Sequence, residues 1–127
     1  MKTVARHINT GRYAEQWACH FLRQQGLTLV TRNFRCRTGE IDLVMRDSNQ
    51  LVFVEVRYRK NKTYGSAAES IDRCKQARVI RCAEYFLQRT AALANLPARF
   101  DVVTLTAAQN RKDIFETQWI RNAFDAA

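Results

Sequence analysis

Asp42 and Glu55 are the residues of this sequence hardest to explain by packing alone. Each sits in a short apolar run, Glu40 to Met45 and Leu51 to Arg57, of the kind that forms a half-buried strand. A carboxylate in such a strand is costly unless it is paired, hydrogen-bonded or bound to a metal. The polar connector Asp47 to Gln50 separates the runs, so the simplest arrangement is an antiparallel hairpin. If that hairpin closes without a bulge, Asp42 faces Glu55 and Glu40 faces Arg57. Facing residues have β-carbons about 5 Å apart, close enough for two carboxylates to share one divalent ion.

Such an ion, Mg²⁺ or Mn²⁺ on the hard oxygens of Asp42 and Glu55, would lower the pKa of a bound water and neutralise charge developing on a phosphoryl group. Arg57, on the same strand face as Glu55, would reach the phosphate or the attacking oxygen. The arrangement suits phosphodiester hydrolysis. A purely structural account also fits: Glu40 salt-bridges Arg57, Asp42 caps the corner after Gly39, and Glu55 pairs with Lys75. Taken alone, the spacing of Asp42, Glu55 and Arg57 is a weak motif.

The elements that must position these residues can be read from periodicity. Asn9 or Thr10 caps a helix running to about Gln25, with Tyr13, Ala14, Trp17, Ala18 and Phe21 on one face and Gly26 as its stop. Leu27 to Phe34 reads as a strand, followed by a basic corner from Arg35 to Gly39 and a strand from Glu40 to Arg46. The third strand runs from Leu51 to about Arg57, and Tyr58 to Ser66 is a polar loop. From about Ala67 to Arg89 the pattern is helical, with Ile71, Val79, Cys82, Ala83 and Phe86 on one side. Lys75 falls in the middle of that apolar stripe and Arg78 near its edge. After a connector from Thr90 to Pro97, Arg99 to Leu105 forms a fourth strand with Asp101 on the face of Arg99 and Val103. Ile114 to Ile120 is a weakly alternating edge strand, and Arg121 to Phe124 a last turn. The expected fold is α/β, a mixed central β-sheet flanked by helices, with a crossover through the long helix.

Length and composition bound the alternatives. A chain of 127 residues fits one domain, 1–127, with a core that needs no disulfides. The formal charge of +9 favours a polyanionic partner. No apolar stretch approaches the roughly 20 residues that span a bilayer, and the first residues lack the apolar segment of a signal peptide, so a cytoplasmic protein without a membrane partner is expected. Cys19, Cys36, Cys74 and Cys82 read as buried free thiols. There is no CxxC, and His7 and His20 complete no zinc spacing.

Arg32, Arg35, Arg37, Arg59, Lys60 and Lys62 bracket the acidic pair in sequence and could form a rim that holds a nucleic-acid backbone. Each could equally be a solvated surface charge. Tyr58 and Tyr64 could stack on an exposed base or simply pack beside a strand end. Nothing resembles a helix-turn-helix, zinc finger or RNA-binding sheet, so no reading of base sequence is implied.

Gly11 to Ala18, Arg32 to Val44, Val52 to Arg59, Tyr64 with Gly65, Lys75, and Arg99 to Val103 together closely resemble the small bacterial YraN-like family. That family in turn resembles the restriction-endonuclease-like superfamily, especially archaeal Holliday junction resolvases. The resemblance implies that Asp42 and Glu55 are the two metal-binding acids of a PD-(D/E)xK motif. It also implies that Glu15 is the additional helical acid of the resolvase branch, and that Lys75 is the basic or polar position on the following helix. On the helical wheel Glu15 lies outside the centre of the apolar stripe, within reach of an adjacent site or on the surface. Arg57 departs from the pattern, which has lysine there. Arginine is a planar fork locked in its charged form, able to steady a phosphorane but unable to accept a proton.

The function this implies is metal-dependent hydrolysis of structured or branched DNA, with RNA not excluded. The alternatives are a nucleic-acid-binding or scaffold protein that keeps the nuclease fold without turnover, and a basic protein whose partner is another protein. Because the resolvases act as twofold dimers, a homodimer is also implied.

Overall fold

A computed structural model describes residues 10–59, 71–108, 111 and 114–126. The first helix, α1 (Thr10–Gln24), turns Ala14, Ala18, Cys19 and Leu22 inward, with Tyr13, Trp17 and Phe21 packed beside them. Its end follows from Gly26, which adopts φ 103°. The Gly26 N–H donates to Arg23 O at 3.0 Å and the Leu27 N–H to Leu22 O at 3.1 Å, the paired bonds that close a helix around a left-handed residue.

Five strands follow: β1 (Thr28–Cys36), β2 (Gly39–Asp47), β3 (Gln50–Arg59), β4 (Ala98–Ala107) and β5 (Phe115–Phe124). They lie side by side in sequence order. β1 with β2, β2 with β3, and β4 with β5 are antiparallel. β3 and β4 are parallel, and the second helix, α2 (Arg73–Arg89), lies in the crossover between them. A single 3₁₀ turn, Ala91–Leu93, precedes β4. This mixed sheet flanked by helices is consistent with the restriction-endonuclease-like fold.

Several expected boundaries move. The basic corner shrinks to Arg37 and Thr38, because Arg35 and Cys36 pair with Glu40 and Gly39 in the sheet. Tyr58 and Arg59 belong to β3, where the parallel ladder to Leu105 and Thr106 extends the strand. Arg121 to Phe124 is strand and not turn: Asn122 at φ 52° kinks β5, and Phe124 still pairs with Phe100. Among the described residues α2 begins at Arg73, with Asp72 as its cap. The stretch from Lys60 to Ser70, which holds Lys60, Lys62 and Tyr64, lies outside the described residues.

The sheet separates two cores. On the α1 side, Val52 and Val54 meet Leu43, Met45, Val103 and Leu105. On the α2 side, Leu51 and Phe53 meet Val44, Phe100, Val102 and the buried stripe Val79, Cys82, Ala83 and Phe86. Alternation along β3 sends successive side chains to the two layers. The four cysteines are free thiols, but they are not all buried: Cys36 is half-exposed and Cys74 exposed on α2. Helical spacing carries Cys74 away from the stripe that buries Cys82.

At the β2–β3 turn end of the sheet, Asp101 is fully buried and accepts from Arg99 Nε (3.0 Å), Trp119 Nε1 (2.9 Å) and the Asn122 N–H (2.9 Å). Arg99 continues the network to Asp47 (3.1 Å) and Gln50 (2.7 Å), tying the turn to β4. Removing this carboxylate leaves the Trp119 and Asn122 donors unpaired inside the protein and takes from Arg99 one of its two carboxylate partners. Asp101→Ala should therefore lower stability in urea unfolding by about 3–5 kcal/mol. A loss under about 1 kcal/mol would show that the network contributes little.

Candidate active site

The strands that carry Asp42 and Glu55 pair as the hairpin register requires from Asp47–Gln50 to Leu43–Val54. Just beyond, the Asp42 carboxylate itself accepts the Val56 N–H, at 2.8 Å. β2 is irregular here: Ile41 and Val44 both join the α2-side core while Leu43 and Met45 face α1, which strict alternation forbids. Opposite, on β1, Asn33 adopts φ 52°. This distortion lets the acids of both strands converge.

Glu15, Glu40 and Asp42 each offer an oxygen within 4.8 Å of the others, the group of three found among the described residues. Asn33 Nδ2 ties two of them, donating to Glu15 Oε1 at 2.9 Å and Glu40 Oε2 at 3.0 Å. Glu15, which helical geometry left undecided between site and surface, is thus part of the cluster. Glu40 pairs with Arg35 of β1, with Arg35 Nε 3.6 Å from its carboxylate, and the β2–β3 ladder ends at Leu43–Val54, short of the Asp42–Glu55 and Glu40–Arg57 pairs of a regular hairpin.

Glu55, on β3, is 2 % exposed and close enough to Asp42 for their charges to interact. Its Oε1 lies 3.5 Å from Lys75 Nζ, while its Oε2 is buried without a hydrogen-bond partner. Lys75 stands in the first turn of α2, its N–H bonded to Asp72 Oδ1 at 2.8 Å. A lysine there opposes the helix dipole, and the buried Glu55 explains its presence. Arg57 is half-buried two residues further along β3.

Burial pushes the Glu55 carboxyl up to about 8, the nearby Asp42 charge adds to the rise, and Lys75 opposes it. Burial likewise raises Asp42 to about 6, against the Val56 hydrogen bond and with a further push from Glu15. Acids held this close favour a shared proton or a bound cation. The donors are all oxygen and one of the nearby oxygens lacks a partner, which fits a divalent ion of the Mg²⁺, Mn²⁺ or Ca²⁺ type.

Two cavities flank the cluster. One of about 220 Å³ is lined by Arg12, Glu15, Gln16, Arg32 and Asn33. The other, of about 480 Å³, is lined by Arg35, Cys36, Arg37, Thr38, Arg81 and Tyr85. Of the anticipated basic rim, Arg32 lines a cavity with Glu15 and Arg35 lies 3.6 Å from Glu40, whereas Arg37 lines the cavity that no cluster acid lines. Arg59 ends β3, and Lys60 and Lys62 fall outside the described residues. Sequence reading missed Asn33, Glu40 as a cluster member, and Arg81. An asparagine inside a strand-like run was the available signal for the first, since asparagine is poor in strands and tolerates positive φ.

A model of the Uncharacterised protein family UPF0102 matches residues 14–105, the span holding every acid of the cluster. The chain belongs to UPF0102. A UPF0102 protein of Nitrosococcus oceani is 49% identical over 120 residues, covering 94% of each chain. One of Saccharophagus degradans is 49% identical over 121 residues, covering 95% of this chain and 97% of its own. One of Pseudomonas paraeruginosa is 49% identical over 126 residues, 99% of this chain and 100% of its own. The family resembles the restriction-endonuclease-like superfamily, and this chain carries a candidate cluster of three acids that could chelate a divalent metal.

The raised acids make stability depend on pH. In the unfolded chain these carboxyls ionise near 3.8 and 4.5, so the folded state holds its protons to higher pH. Metal-free stability is fullest below those values, falls as pH rises through about 6 and about 8, and then levels. Thermal unfolding in EDTA should show this fall, and Glu55→Gln should flatten its upper part. Parallel curves for the two proteins would refute the assignment. Metal affinity runs the other way, rising with pH as the ligands deprotonate.

Proposed function

We propose that this UPF0102 protein hydrolyses phosphodiester bonds of structured or branched DNA with Mg²⁺ or Mn²⁺. The observation that carries the reading is the oxygen cluster of Glu15, Glu40 and Asp42, with buried Glu55 close enough to Asp42 for their charges to interact and its Oε2 without a partner. Such an oxygen costs about 1–3 kcal/mol or more unless something satisfies it. Asp42 and its two partners would hold the ion, with Glu55 alongside. A divalent ion bound there supplies a more acidic water and positive charge for the phosphate oxygens.

The chain's own side chains do the rest. Asn33 orients Glu15 and Glu40, and the Val56 N–H orients Asp42. Lys75 holds Glu55 in place. Arg57 presents a fixed positive fork toward the phosphate, as a donor only. Arg32 on one flank and Arg35 and Arg37 on the other fix the backbone by charge. The +9 net charge supports a polyanionic substrate. A twofold dimer would match cleavage of symmetric strands.

A second reading, binding without turnover, is favoured by the arginine at position 57. With Lys75 committed to Glu55 at 3.5 Å, neither cation is a ready proton acceptor.

The deciding assay is nicking of a four-way junction, a flap and a plain duplex with Mg²⁺ or Mn²⁺. Asp42→Asn and Glu55→Gln should each reduce nicking by about 10–100-fold, and Arg57→Lys should raise it. Equal cleavage by wild type and both acid variants would point to a contaminating nuclease and sink the hydrolytic reading. If the protein only binds, affinity without turnover should fall steeply as salt rises. Affinity indifferent to salt would exclude a backbone-dominated mode.

A further inference from the structure

The larger of the two flanking cavities, about 480 Å³, falls within the range of small-ligand pockets, roughly 300–1,000 Å³. Three arginines, Arg35, Arg37 and Arg81, line it together with Tyr85, and no acidic residue does. Arg35 also lies 3.6 Å from Glu40, so the cavity and the acidic cluster share a wall.

Tyr85 is the residue that charge alone does not explain. It is 40% exposed, one of three large hydrophobic side chains left open among the described residues. Its position is nevertheless held: Phe34 packs beside it at 6.1 Å, the Arg89 guanidinium lies 5.3 Å from its ring centre, and Arg89 Nη1 donates to its hydroxyl at 3.0 Å. An aromatic ring braced by its neighbours yet exposed, at the edge of a basic cavity, offers a stacking platform for a flat group attached to an anion. Nucleic acids supply that combination wherever a base leaves the helical stack.

We propose that this cavity receives a single unpaired nucleotide of the bound strand, its phosphate against Arg37 and Arg81 and its base against Tyr85. The proposal rests on the reading that the acidic cluster faces nucleic acid, and it names the feature by which branched or distorted substrates are told from plain duplex. A base stacked within a duplex cannot reach the ring, whereas one freed at a branch or bulge can. The duplex on either side would still be held by the charges that border the cluster.

The test is fluorescence anisotropy in EDTA with a labelled plain duplex and the same duplex carrying one extrahelical adenosine. The wild-type chain should bind the bulged duplex about tenfold more tightly, the scale of one base–aromatic stack. Tyr85→Ala should abolish the preference while leaving plain-duplex affinity unchanged, and Tyr85→Phe should keep it. Arg81→Ala provides an independent variant and should weaken bulged more than plain binding. Circular dichroism checks that each variant folds. Asp42→Asn should retain the preference, so failure of hydrolysis and failure of this proposal are separate results. Equal binding of the two duplexes by the wild type would overturn it, as would a preference that survives in Tyr85→Ala. So would displacement of the bulged duplex by polyglutamate as effective as by unlabelled bulged DNA, because that would make the cavity a general anion site.

Discussion

The site depends on one substitution of hydrogen-bond partners: the Val56 N–H, on the edge of β3 facing β2, donates to the Asp42 carboxylate at 2.8 Å. A backbone donor inside a sheet must be satisfied, and here a side chain takes the bond. β2 and β3 are regular up to Leu43 and Val54, and the sheet opens where Asp42 intervenes. Asp42 is thereby oriented and β2 is displaced from strict alternation. Glu40 is left free to meet Glu15 from α1 across Asn33. Glu55, on the other side of the opening, stays in the sheet through its parallel pairing with Val102. The acids converge because the hairpin fails at this point.

Bringing four carboxylates together inside a protein is unfavourable, and the surroundings only partly offset it. Lys75 reaches one oxygen of Glu55 from the first turn of α2, and Arg35 approaches Glu40 from β1. The remaining imbalance is expressed in the raised carboxyls of Asp42 and Glu55. Strain of this kind is what a cation relieves. The opposite end of the sheet is different: buried Asp101 has partners in Arg99, Trp119 and Asn122, all its bonds are met within the protein, and it carries structure and not chemistry. Buried acids alone do not mark a site; an acid left incompletely satisfied does.

Much of this was legible locally. The helical stripe from Tyr13 to Phe21, the stop at Gly26, the two apolar runs and their hairpin, and the placement of Lys75 on the inner face of α2 all follow from short-range patterns. Asp42 and Glu55 stood out because carboxylates rarely occupy such strands. What failed were expectations that extended a regular pattern past its end. The β2–β3 ladder stops before it would pair Glu40 with Arg57, and Arg121 to Phe124 do not form a turn. In both places an asparagine at positive φ lies nearby, Asn33 on β1 and Asn122 on β5; the register between β4 and β5 shifts where Asn122 sits, which residue spacing cannot show.

By itself the sequence determined the elements, their inward faces and the identity of the acids, because those depend on periodicity and on the cost of burying charge. It also carried Arg57, whose chemistry holds wherever the side chain lies. Only the tertiary structure decided which acids share a space. The meeting of Glu15 from α1 with Glu40 and Asp42 from β2, and of Glu55 with Lys75 across the parallel crossover, joins segments far apart in the chain. Local spacing holds no information about such meetings; they are set by the packing of two helices on opposite faces of one sheet and by the point where its hydrogen bonding gives way.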